Sequence, residues 1–116
     1  MKALKIVYSR WFPLRGYMAM TVLWWCIVRQ KARERFTWQV YNHENIHYAQ
    51  ERELLYVGFY LLYVLMFLWE LRCMSWRHAY RNIMFEREAY AHLDDRDYLV
   101  SRKRFAWMKE KRDWRA

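Results

Sequence analysis

Asn42-His43-Glu44-Asn45-Ile46-His47 is the stretch on which the reading of this chain turns. His43 and His47 are four residues apart, so on a helix they lie one turn apart on the same side. Two imidazoles so placed can reach one ion at about 2.0–2.1 Å each. Glu44, next to the first histidine, points beside such an ion rather than at it. That suits a general base taking a proton from water at the metal.

Working outward, Thr37 is a good N-cap, and the helical pattern begins at Phe36. Val40, His43, His47 and Gln50 recur three or four apart and share one face. The helix is expected to run on through residues 51–53 or to kink there. Residues 54–72 form a second, strongly apolar helix interrupted only by Glu70 before its last residues. Its apolar run is at the lower edge of membrane-spanning length. Tyr56, Tyr60 and Tyr63 place hydroxyls at three levels along it, which favours a buried-core or monotopic helix over a true span. Ser75 is expected to cap a third helix from residue 76 to about 98. Its inward stripe reads Ala79, Ile83, Glu86, Tyr90, Leu93. Glu86, a carboxylate within an apolar stripe, is the choice for a third metal ligand, which leaves a fourth position open. Glu88 is the runner-up; it points away from Glu86, so both are not expected on one ion. Its plainer reading is an ion-paired carboxylate. His78 and His92 read as surface or satisfied histidines.

Upstream, residues 3–9 read as a strand, 11–16 as a turn holding the only proline and the first glycine, and 17–29 as a second strand. Together they predict a hairpin with a longish loop; a short buried helix is the alternative for the second run. The fold class expected is α+β, mostly α: an N-terminal β-hairpin packed on three helices, with the His43–His47 helix central. The whole of 1–116 reads as one domain, with about 100–116 as a basic aromatic tail.

Composition bounds the rest. The 116 residues carry 21 Lys+Arg against 12 Asp+Glu, a formal net charge of +9, and aromatics make up 21%. Two glycines and one proline leave few turns, which favours long helices. Cys26 and Cys73 lie far apart in apolar surroundings without a C-x-x-C pair, so they read as buried free thiols, not metal ligands. Lys2, Lys5 and Arg10 interrupt the N-terminus, so a secretory signal is not expected. A cytoplasmic location is expected, with association at the inner membrane face as a variant of it.

His43-Glu44-x-x-His47 followed by Glu86 resembles the gluzincin class of zinc metallopeptidases. The segment Glu86-Arg87-Glu88-Ala89-Tyr90-Ala91 looks like the E-x-x-A-D pattern of the prenyl-protein protease group, whose first Glu is the zinc ligand. That maps to Glu86. The chain departs from the pattern at Tyr90, where the family has an Asp supporting a metal-binding His; Asp94, one turn on, is the substitute to examine. A likeness across nearly the whole chain is to small uncharacterised bacterial proteins sharing the blocks NHENIHYAQERELL, GFYLLYVL, AYRN and FEREAYA.

The resemblance implies a minimal zincin-like domain that binds Zn2+ through His43, His47 and Glu86. Glu44 would activate water for amide hydrolysis of a peptide or protein substrate. An oxyanion partner would come from Tyr90, His92, His78 or Tyr80. If 17–29 includes an exposed edge strand, a peptide can add to it beside the metal. So short a chain has few residues with which to build a cleft, so a zinc-binding pseudo-enzyme, or a subunit whose cleft is completed by a partner, stays open. A non-catalytic membrane-surface binding protein is the competing class. It rests on Arg102-Lys103-Arg104-Phe105-Ala106-Trp107, which mixes cations with aromatics. The charge permits nucleic-acid binding, but no helix-turn-helix, zinc-finger or glycine-rich RNA motif supports it.

Overall fold

The computed structural model describes residues 4–10 and 18–110. Three strands form one sheet in the order β1-β3-β2. They are β1 (Lys5–Ser9), β2 (Ala19–Val22) and β3 (Trp25–Arg29). The central β3 pairs in parallel with β1 and antiparallel with β2. Cys26 and Val28 point from it into the core with no exposed surface.

A hairpin is present, but both its arms lie inside the stretch expected to be one strand, and β1 joins it in parallel instead of forming an arm. Residues 18–29 fold back at Leu23 and Trp24, with Leu23 at φ 53°. No Gly, Asn or Asp marks this turn, although such turns favour those residues. It is held from outside instead: the Leu23 N–H donates to the Tyr60 hydroxyl at 2.8 Å. The turn expected at 11–16 lies outside the described residues.

A 3-10 helix (Gln30–Arg35) forms the charged connector, and Thr37 caps α1 (Trp38–Glu53). The Thr37 side chain accepts the Val40 N–H at 3.4 Å. The central helix is α1, as the expected fold class has it, packed against β2, α2 and α4. Every residue from His43 to Glu51 is buried, six of them polar or charged. Two apolar clusters flank it. Leu4, Cys26, Val28 and Tyr48 form the one on the sheet side. Phe59, Ile83, Phe85 and Trp107 form the other.

The chain then turns through 111° into α2 (Val57–Leu71). The first helix runs through Glu53, as expected, and the bend that follows it is sharp enough that the second helix begins three residues later than expected. Leu55 and Tyr56 make the corner with φ of 55° and 63°. Their strain is offset by the Tyr56 N–H bonding to the Glu51 carbonyl at 2.7 Å and by Tyr56 packing on the first cluster. The inner side of α2 carries Phe59, Tyr60, Tyr63 and Phe67. Its outer side does not read as a core helix: Val57, Leu61, Val64, Leu65, Leu68 and Trp69 are exposed. Among the described residues, no single helix is long and apolar enough to cross a membrane. Cys73, just past α2, is exposed; only Cys26 is buried.

The expected third helix is broken into α3 (Trp76–Arg81) and α4 (Met84–His92), with a short α5 (Tyr98–Ser101) after it. Asn82 ends α3, its side chain donating to the His78 carbonyl at 3.0 Å. Ile83, extended at ψ 134°, is driven into the core with no exposed surface. The break lets α4 bury Glu86 and Glu88 toward different partners. Ser75 occupies the N-cap position of α3 but makes no capping bond; its hydroxyl lies 3.1 Å from His78 Nδ1.

The basic tail is not wholly a surface segment. Arg102 lies inside, donating to Glu88 and to both oxygens of Glu53, and Trp107 joins the second cluster. Lys103, Arg104, Phe105 and Met108 remain outside.

Two stability measurements follow. Arg102→Met leaves buried Glu88 without its cation and is expected to destabilise by about 3–5 kcal/mol in urea unfolding. Leu55→Gly removes left-handed strain at a side chain that is 81% exposed. It is expected to stabilise by about 0.5–1 kcal/mol in the same assay.

Candidate metal centre

His43 and His47 leave α1 on the side facing α4, and Glu86 enters from the first turn of α4. The two Nε2 atoms are 3.2 Å apart. Glu86 Oε1 lies 3.2 Å from His43 Nε2 and 3.0 Å from His47 Nε2. All three side chains are buried. The structure therefore brings Glu86 to the histidine pair and holds Glu88 away from it. His43, Glu44 and His47 form a group able to hold a metal ion.

Each member is aimed by a neighbour. Glu86 Oε2 accepts the Tyr63 hydroxyl at 2.6 Å, which turns Oε1 toward the histidines. His47 Nδ1 lies 2.8 Å from Gln50 Oε1. The Gln50 amide nitrogen donates to the Phe85 carbonyl and to Glu88 Oε1, at 3.0 and 2.9 Å. Both are acceptors, so the Gln50 orientation is fixed and its oxygen faces His47. Nδ1 must then carry a proton, which directs Nε2 to the shared point. Glu88 is held in turn by Arg102 and by the Tyr98 hydroxyl at 2.6 Å. His43 packs edge-on against Tyr90, with ring centroids 4.4 Å apart.

Glu44 sits beside the trio, with Oε2 3.7 Å from His43 Nε2. The Thr21 hydroxyl lies 2.9 Å from both Glu44 Oε1 and the Glu44 carbonyl, tying the residue to β2. Burial raises the Glu44 pKa above the ordinary carboxylate value, against the pull of both histidines. Burial opposes charge on His47 too. There the Glu86 carboxylate prevails and pushes its pKa up to about 10. Burial would likewise raise Glu86, but the two histidines hold it well below the usual carboxylate range. Binding of a cation among these three atoms would therefore compete with protonation of His47.

Two cavities meet at Glu44. The larger, about 550 Å³, is lined by His43, Glu44, Arg77, Tyr80 and Tyr90 among others. The smaller, about 220 Å³, lies among Thr21, His47, Phe59, Tyr63 and Glu86. Ala19 and Trp76 border both. The Tyr80 and Tyr90 hydroxyls are 3.2 Å apart.

Other sequence candidates lie elsewhere. His92 pairs with Glu110 at 2.7 Å and stacks on Tyr98. His78 is on the exposed side of α3. Asp94 is exposed, so support for a histidine comes from Gln50 in place of an aspartate. Gln50 shares the histidine face of α1, and its i+3 spacing from His47 is the sequence signal for this support. Thr21 and Glu51 carry no local signal, and for Tyr63 the signal is its hydroxyl within an otherwise apolar helix.

Glu51 is fully buried one turn beyond His47 and accepts the Tyr60 hydroxyl that also holds the β2–β3 turn. Its other oxygen has no hydrogen-bond partner among the described residues. Burial pushes its pKa up from 4.5 to about 7. The folded state therefore binds this proton more tightly than the unfolded chain, and stability falls as pH rises between those two values. The total is about 3 kcal/mol above pH 7. Glu51→Gln is expected to match the parent at about pH 4 and to exceed its stability at about pH 8, by an amount of that order. Equal pH dependence of the two proteins would refute this. Against known proteins, no family model, no curated protein and no solved structure matches the chain.

Proposed function

We propose that the chain is a zinc-dependent hydrolase of peptide or protein amide bonds, with His43, His47 and Glu86 as metal ligands and Glu44 as general base. One observation carries this reading. Three buried donor atoms, two imidazole and one carboxylate, stand 3.0–3.2 Å apart. A tetrahedral zinc ion with bonds of about 2.0–2.2 Å spaces its ligand atoms about 3.3–3.5 Å apart. The donor set and its spacing therefore fit the ion with little movement, and two histidines with one glutamate leave a fourth position free. When bound, zinc supplies Lewis acidity to a carbonyl and lowers the pKa of water toward about 7.

The remaining work falls to side chains. Glu44, steadied by Thr21, takes the proton of the attacking water and returns it to the leaving nitrogen. Tyr80 and Tyr90 border the larger cavity and are the donors placed to meet a developing oxyanion. In the β1-β3-β2 order β2 is an edge strand, and its Ala19, Met20 and Thr21 border the smaller cavity. An extended peptide added to that edge would lie across Glu44.

Metal analysis of purified variants, beside a peptide-library assay, tests the reading. The parent and Glu44→Gln are expected to hold near-stoichiometric zinc. His43→Ala, His47→Ala and Glu86→Ala are expected to lose it. Glu44→Gln should keep the metal and lose activity by about 10²-fold or more. Gln50→Leu should weaken metal affinity about 10–100-fold through the freed His47 ring. Unchanged zinc in Glu86→Ala would remove the third ligand, and parental turnover in Glu44→Gln would remove the catalytic assignment.

A further inference from the structure

The outer face of α2 is used by neither the fold nor the metal centre. Val57, Leu61, Val64, Leu65, Leu68 and Trp69 are each more than half exposed. Their spacing puts them on one stripe of the helix. A surface helix ordinarily turns its apolar stripe to the core and its charges to water. Here the one charged residue within α2, Glu70, is buried and paired with Arg87. Exposed leucines scattered singly need no explanation, but a contiguous apolar stripe marks a binding surface. Leu55 extends it at the strained corner, 81% exposed, where glycine would cost less.

Charge and aromatics at the ends of the stripe identify what would cover it. At the C-terminal end the Arg72 guanidinium stacks 3.6 Å over the Trp69 ring. Exposed Arg77 follows exposed Trp76. At the N-terminal end exposed Arg52 lies over Tyr48. The exposed aspartates Asp94, Asp95 and Asp97 belong instead to the segment held by Asn42 against the first half of α1. Indoles and guanidiniums bordering an apolar strip, with the aspartates kept elsewhere, match the chemistry of an anionic bilayer interface. A second copy of this chain, packed by two-fold symmetry, would bring the same arginines together across the contact.

We infer that the outer face of α2 docks the protein onto an anionic membrane surface. The 15-residue helix is about 22 Å long, short of the roughly 30 Å hydrocarbon core. It therefore lies in the interface plane, with Val57 to Trp69 toward the acyl boundary and Arg52, Arg72 and Arg77 toward lipid phosphates. This docking does not depend on the metal reading. Because Trp76 borders both cavities, it brings their rim to the membrane surface.

Vesicle co-sedimentation of the full chain tests it. Binding is expected to equimolar phosphatidylglycerol–phosphatidylcholine vesicles, to weaken in about 0.5 M salt, and to be slight on phosphatidylcholine alone. Leu65→Ser/Leu68→Ser, both already exposed, should keep the parental circular dichroism and partition about tenfold less. Arg72→Glu/Arg77→Glu should lose the preference for anionic vesicles. No binding by the parent, or equal binding by the serine variant, would overturn the proposal. So would equal binding to both vesicle types. A dimer in gel filtration that the serine variant splits, without vesicle binding, would assign the face to a second copy instead.

Discussion

A helix whose buried surface is mostly polar has to be satisfied by its surroundings, and this constraint shapes the rest of the molecule. Between His43 and Glu51, α1 buries two histidines, two glutamates, an asparagine and a glutamine. A buried polar group without a partner costs about 1–3 kcal/mol, and an unpaired charge more. Each neighbour therefore answers one of them. Asn45 accepts the Leu4 N–H and fixes the sheet's entry. Thr21 of β2 answers Glu44. Glu86 answers both histidines, and Tyr60 answers Glu51. The two apolar clusters on either side supply the burial that makes the polar centre tolerable, and the polar contacts supply the register.

How much of this was legible in the sequence depended on whether the signal was local. The α1 helix, its Thr37 cap and the convergence of His43 with His47 follow from four-residue spacing and one capping side chain. Glu86 stood out because a carboxylate interrupted an apolar stripe, and it does meet the histidines. The β2–β3 turn was hidden, because Leu23 takes a positive φ for the sake of Tyr60, 37 residues away. A bend near residues 51–53 was legible, but the left-handed backbone of Leu55 and Tyr56 that makes it was not, because the glycine that usually permits it is lacking. The break at Asn82 was weakly written, as one asparagine in an otherwise helical run.

The apolar pattern of α2 favoured a buried-core or monotopic helix, but pattern alone does not say which side is covered. The structure divides the helix: its tyrosine hydroxyls turn inward to Glu51 and Glu86, and its aliphatic stripe turns out. The tail divides in the same way, with Arg102 and Trp107 inside and Lys103, Arg104 and Phe105 outside. Composition saw a basic aromatic segment; the buried carboxylates of Glu53 and Glu88 decided which cation went in.

That last pairing has a consequence for how the molecule comes into being. His47, Gln50, Glu88, Arg102 and Glu53 form one unbroken hydrogen-bonded series. A chain emerging from the ribosome displays both histidines long before residue 102 has been added. Until Arg102 arrives, Glu88 lacks its counter-ion and the His47 ring lacks its final restraint. The orientation of the His47 ring is thus tied, through Gln50 and Glu88, to a cation that the chain supplies only 55 positions later.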